Sequence, residues 1–139
     1  MATPSPPSFV YKIINNKIIM KFSYYVEVLK KYAVFSGRAR RSEYWSFVAV
    51  NFLIGLGLGL FGSFIIGEQV SKILSNIYVL AILIPSIAVS VRRLHDTGRS
   101  GWWILVSFIP IIGFITLIVF YCKDSHPGEN KYGPNPKTL

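Results

Sequence analysis

With 139 residues the chain has room for one domain, and only 15% of them are charged against 52% hydrophobic. Three apolar runs contain no Asp, Glu, Lys, Arg or His: Trp45–Ile66 (22 residues), Ile73–Val91 (19) and Trp102–Tyr121 (20). At a helical rise of about 1.5 Å per residue each covers roughly 28 to 33 Å, the thickness of a hydrocarbon core, which excludes a soluble globule and predicts three transmembrane helices. The formal charge of +9 resides mostly in residues flanking these runs, the pattern of a membrane protein oriented by Lys and Arg and attracted to anionic lipid. A single cysteine, Cys122, excludes an intrachain disulfide and any multi-cysteine metal site.

Taken in chain order, residues 1–19 are Pro/Ser-rich and then mixed, and read as a disordered N-terminal extension. MATPSPPSFV has no basic n-region and IINNKIIM is too short and broken for an h-region, so no cleaved signal peptide is expected. Residues 20–139 form one membrane domain. In its first part Phe22, Tyr25, Val26, Leu29 and Ala33 share one helical face, opposite Ser23, Glu27, Lys30 and Lys31. This predicts an amphipathic interfacial helix over 22–34, broken by Ser36-Gly37. GRARRSEYW leads into the first span, 45–66, with Tyr44 and Trp45 as interfacial anchors. Within it Gly55 and Gly59 form a GxxxG pair for close helix packing, inside the monomer or between copies. After the short loop Gly67–Lys72, the second span, 73–91, carries Pro85, where a kink is expected, and ends at Arg92 and Arg93. Asp96-Thr97-Gly98 turns the chain and Ser100 caps the third span, 102–121, anchored by Trp102 and Trp103 and interrupted by Pro110-Ile-Ile-Gly113. The tail, 122–139, is a series of turns.

Counting Lys and Arg around three full spans puts eight on the N-terminal side against four opposite (Lys72, Lys123, Lys131 and Lys137), which predicts N-in and C-out. A re-entrant third segment would instead return the tail to the cytoplasmic side, eleven against one. Three full spans are preferred, because re-entrant backbone needs cover that so few helices supply.

The order FSGRARRSEYW, apolar run, RRLHDTGRSGWW, apolar run with Pro-x-x-Gly, then PGENKYGPNPK resembles small bacterial inner-membrane proteins of the YhaH/YhaI type, a domain-of-unknown-function family. The resemblance covers about Met20 to Lys137 and rests on three separately spaced motifs. It implies an inner-membrane protein without a defined activity and supplies no catalytic residues. MKFSYYVEVLKKYAVFSGRARRSEYW also looks like the usual family start, which makes Met20, beside Met1, a candidate initiator.

The chemistry-bearing residues concentrate at one membrane face: Arg38, Arg40, Arg41, Glu43, Arg92, Arg93, His95, Asp96 and Arg99. His95-Asp96 raises metal-dependent hydrolysis, but two histidines and six carboxylates are few for such a site, and His126 falls on the far side of a C-out chain. No metal, cofactor or catalytic set is expected. Cys122 reads as a small hydrophobe at a helix end. Arg beside Trp suits nucleic acid only where the aromatics are free to stack on bases, and here they begin a span. Glu43 and Asp96 are then the acids available to six arginines, so pairs of the Arg93–Glu43 or Arg41–Asp96 type should clamp the first span to the loop after the second. Surplus positive charge would hold anionic headgroups. The expectation is a non-enzymatic inner-membrane protein associating with anionic lipid, as a homo-oligomer or with another membrane protein. The alternative, a subunit of a small oligomeric transporter or channel, would draw on polar residues within the spans, Asn51 above all.

Overall fold

The computed structural model describes residues 6–139, and side chains from Phe9 onward. The described residues form helices joined by turns: α1 (Pro6–Lys30), α2 (Arg41–Leu56), a π-helical stretch (Gly57–Gly62), α3 (Ser63–Ile66), α4 (Glu68–Asp96), a 3₁₀ stretch (Gly101–Phe108) and α5 (Ile112–Cys122). Two continuous helical units, Arg41–Ile66 (26 residues) and Glu68–Asp96 (29 residues), are long and apolar enough to cross a membrane.

The first helix differs from the one expected over 22–34. It begins at Pro6 within the segment expected to be disordered, of which residues 1–5 lie outside the described residues. Pro is tolerated in a first turn, and no Gly or Pro follows before Gly37 to interrupt the ladder. Its buried face is also narrower: Tyr25 stacks on Phe47 at 5.6 Å and Val28 is fully buried, while Phe22 and Leu29 are exposed.

Arg41–Ile66 widens into the π-helix along the glycine run. The loosened carbonyl of Leu58 accepts a hydrogen bond from Ser71 on α4, and a Cβ on Gly62 would lie 2.8 Å from that hydroxyl oxygen. This is the close helix approach between the two spanning units. Gly55 and Gly59, expected to provide it, have nothing within 4 Å of a would-be Cβ. Gly67 (φ +87°) reverses the chain into α4. There Pro85 has no N–H for the carbonyl four residues earlier, Ala81, and Tyr32 OH donates to it at 2.8 Å.

Residues 102–121 do not form the continuous third helix expected of them. Ser100 does cap the segment, accepting from Trp102 N at 3.4 Å, but the 3₁₀ stretch stops at Phe108 and the chain doubles back. The reversal is a γ-turn: Ile111 has φ 64° and ψ −66°, and Ile112 N donates to Pro110 O at 2.7 Å. Returning, α5 packs so closely that a Cβ on Gly113 would sit 1.8 Å from Val106 O. The cover thought necessary for such a turn is internal. The carbonyls of Val106, Ile109, Pro110 and Ile111 accept hydrogen bonds from Ile109, Gly113, Ile112 and Ile115 of the same hairpin. Both ends of the hairpin therefore lie at the end of α4, as Arg93, donating to Tyr121 O at 3.1 Å, demonstrates. The tail therefore leaves the hairpin on the side where α4 ends and α2 begins.

Candidate functional site: a buried ionic layer closed by the tail

The core centres on this end of the molecule. Val28, Ala39, Phe47, Val89, Leu94, Leu117 and Tyr121 pack beneath a layer of buried charge. The last turn of α4 is its spine, since helical spacing brings Arg93 and Asp96 onto one face and Arg92 onto another, toward Glu43, while Leu94 points into the core.

Asp96, fully buried, is the hub. Its carboxylate accepts from Arg38 Nε at 3.0 Å, from Ser125 Oγ at 2.6 Å and from Arg93. Its backbone carbonyl accepts from His126 N at 2.8 Å and Arg38 Nη2 at 3.3 Å. The Arg38 guanidinium goes on to bind tail carbonyls, Gly128 O at 2.8 Å, Gly133 O at 3.2 Å and His126 O at 2.7 Å. Arg93 holds the end of the hairpin through Tyr121 O and Lys123 O and reaches Ala39 O at 3.4 Å. Arg92 pairs with Glu43 at 2.8 Å, and its backbone carbonyl takes Ala39 N at 3.0 Å. Glu43 lies in the first turn of α2, where the helix dipole also favours a carboxylate. Arg92 Nε and Nη2 have no partner among the described residues.

Glu43 and Asp96 are thus the clamping acids, with their partners reassigned. Arg92 rather than Arg93 reaches Glu43, and Arg38 and Arg93 rather than Arg41 reach Asp96. Arg41 lies further out, 3.5 Å from Asp124 and donating to Cys122 O at 3.3 Å. The Lys137 ammonium, hydrogen-bonded to the same carboxylate, holds Asp124 below the usual carboxylate range. Arg40 and Arg99 enter no ion pair among the described residues. They lie over the rings of Tyr24 (5.0 Å) and Phe120 (4.0 Å).

His95 stacks on Tyr132 at 3.8 Å with 5° between the rings, places Nδ1 3.0 Å from Gly37 O, and accepts Asn130 Nδ2 on its backbone carbonyl at 3.0 Å. The tail residues Ser125, Asn130 and Tyr132 carried no individual signal in the sequence, and His126, expected on the far side, instead donates its N–H to Asp96 O. Their signal was the turn-rich PGENKYGPNP itself, because tight turns leave carbonyls free to face a guanidinium. Of the expected interfacial anchors, Trp45, Trp102 and Trp103 are exposed. Tyr44 is instead buried, 4.4 Å from Tyr121. Asn51, the most polar group along the spans, hydrogen-bonds Phe47 O at 2.7 Å and accepts from Tyr78, an interhelical link.

Fold and site together define a class: small helical membrane proteins whose two long apolar units are locked at one end by a buried ionic layer. Residues 32–134 match the family described as "Protein of unknown function (DUF805)", and the chain belongs to it. It is 47% identical over 116 residues to Inner membrane protein YhaH of Escherichia coli (strain K12), covering 82% of this chain and 96% of that protein. Inner membrane protein YhaI of the same organism is 46% identical over 114 residues, covering 82% and 95%. Uncharacterized protein YiiR is 34% identical over 88 residues, covering 60% and 53%. No solved structure matches.

Proposed function

We propose that this protein is a non-enzymatic component of the bacterial inner membrane that associates with anionic lipid through the outer rim of its ionic layer. The carrying observation is a division of labour among the basic residues. Arg38, Arg92 and Arg93 are buried and committed to the fold, whereas Arg41, Lys123 and Lys131 are exposed, Arg40 and Arg99 are half-buried, and exposed Trp102 and Trp103 follow Arg99 closely in the chain. Tryptophans with basic residues beside long apolar helices suit the headgroup level.

In this proposal the two long units cross the bilayer and the hairpin enters and leaves by one face. Of the ten Lys and Arg from Arg38 onward, all but Lys72 then belong to that face, which the positive-inside rule assigns to the cytoplasm together with the N-terminus. Self-association is supported by the unoccupied faces of Gly55 and Gly59.

Two measurements test this. In nanodiscs of mixed phosphatidylcholine and phosphatidylglycerol, the wild type should retain the anionic lipid preferentially. Replacing both Arg40 and Arg99 with Ala should weaken that preference by roughly fivefold per residue at unchanged melting temperature. A wild type without preference overturns the proposal. For orientation, a membrane-impermeant thiol reagent should reach exposed Cys122 only after spheroplasts are lysed. Labelling from outside would reverse the assigned face.

A further inference from the structure

Beside the ionic layer lies a cleft of about 480 Å³ between α4, the 3₁₀ stretch and the turn-rich tail. Ile87, Val91 and His95 follow one another at single-turn spacing on α4, so the cleft runs along about 12 Å of helix. Its wall is apolar at Ile87, Val91 and Ile104 and polar at His95 and Ser100. Under the proposed orientation the apolar part lies at hydrocarbon depth and the polar part at the headgroups, the same gradient that a bilayer lipid carries.

The polar end has a defined hydrogen-bond pattern. Gly37 O can only accept, so Nδ1 of His95 carries the ring proton and the neutral ring offers Nε2 as an acceptor. Ser100 Oγ already accepts from Trp102 N, which leaves its hydroxyl proton to donate. Among the described residues neither His95 Nε2 nor the Ser100 proton has a partner. An acceptor and a donor on one cleft wall match a single hydroxyl group, which donates to one and accepts from the other. A positive charge stands close by: the Lys131 ammonium lies 5.0 Å from the centre of the Tyr132 ring, on which His95 is stacked.

We propose that this cleft is a binding site for one glycerol-headed anionic phospholipid. An acyl chain lies against Ile87, Val91 and Ile104, a headgroup hydroxyl bridges His95 and Ser100, and the phosphate faces Lys131. The site rests on the anionic-lipid function above and sharpens it from a charge preference to recognition of a hydroxyl. Arg40 and Arg99 supply the first, His95 and Ser100 the second.

The test uses the full chain in phosphatidylcholine nanodiscs doped with equal amounts of phosphatidylglycerol or phosphatidate, two anionic lipids of which only the former has the glycerol hydroxyls. Retained lipid is counted by native mass spectrometry. Phosphatidylglycerol should be kept roughly tenfold over phosphatidate, the value of two modest hydrogen bonds. His95→Phe, which keeps the ring stack, and Ser100→Ala should each cut that preference to roughly threefold, and the two together should bring the lipids to parity. Because His95→Phe also removes the Gly37 contact, Ile104→Trp, which fills the apolar wall without touching the polar end, should reduce retention independently. Equal retention of both anionic lipids by the wild type, with phosphatidylcholine disfavoured, would overturn the site and leave the general function standing. Indifference to all three lipids would overturn both. A phosphatidylglycerol preference surviving all three substitutions would place the lipid elsewhere.

Discussion

The two ends of the α2–α4 pair solve the same problem, joining antiparallel helices, by opposite means. At the Gly67 end one residue with positive φ reverses the chain, and the adjoining ion pair, Lys72–Glu68, is about 70% exposed on both sides. At the other end three arginines and two acids are buried together and recruit the connecting loop, both hairpin ends and the tail. A short covalent connection needs little from side chains. Elements distant in sequence need interactions with range and direction, which a guanidinium offering five donors provides. A layer of this kind is also vulnerable: a buried pair adds little net stability when intact, yet removing one partner strands the other charge in a medium that solvates it poorly.

Substitutions at the two ends should therefore differ sharply. Asp96→Ala removes the acceptor shared by Arg38, Arg93 and Ser125 and is expected to cost about 3 to 5 kcal/mol, seen as loss of monodisperse protein in detergent. Glu43→Ala should act in the same direction with a smaller loss, since it strands Arg92 alone. Unchanged melting for both variants would show that the layer does not hold the fold. In the hairpin, Gly113→Ala forces a methyl group into Val106 O and should destabilise by about 1 to 3 kcal/mol, read as a lower melting temperature. Ile111→Gly should move the other way, gaining about 1 kcal/mol by relieving the positive φ of a β-branched residue. A drop in melting temperature there would argue against the γ-turn. At the opposite end, Lys72→Ala should change stability by less than about 0.5 kcal/mol, the usual worth of an exposed pair.

Much of this was legible in the residues. Uncharged runs of spanning length marked both long helices, Asp96-Thr97-Gly98 marked the turn, Ser100 marked the cap, and scarcity singled out Glu43 and Asp96 as the clamping acids. Each of these follows from one local segment or from a count. The misreadings share a different character. Residues 102–121 have the length of a span, and composition cannot say whether Pro-Ile-Ile-Gly bends the chain a little or reverses it. That depended on whether Gly113 could come into contact with Val106. Asp96 shows the same limit, because its arginine partners are chosen by where the loop and the helix end lie in space.

VRRLHDTGRSGWW and PGENKYGPNPK were each recognisable as motifs, yet neither has its purpose within its own stretch. The sequence by itself determined which segments are apolar enough to leave water, where the chain must turn, and which few acids must answer many arginines. The tertiary structure alone decided that the tail folds back over Arg38 and Asp96, that Tyr132 stacks on His95, and that a cleft opens beside them. The physical reason is range: hydropathy and turn propensity act over a few residues, whereas these contacts join groups 29 to 95 residues apart, and only a packed chain brings them together.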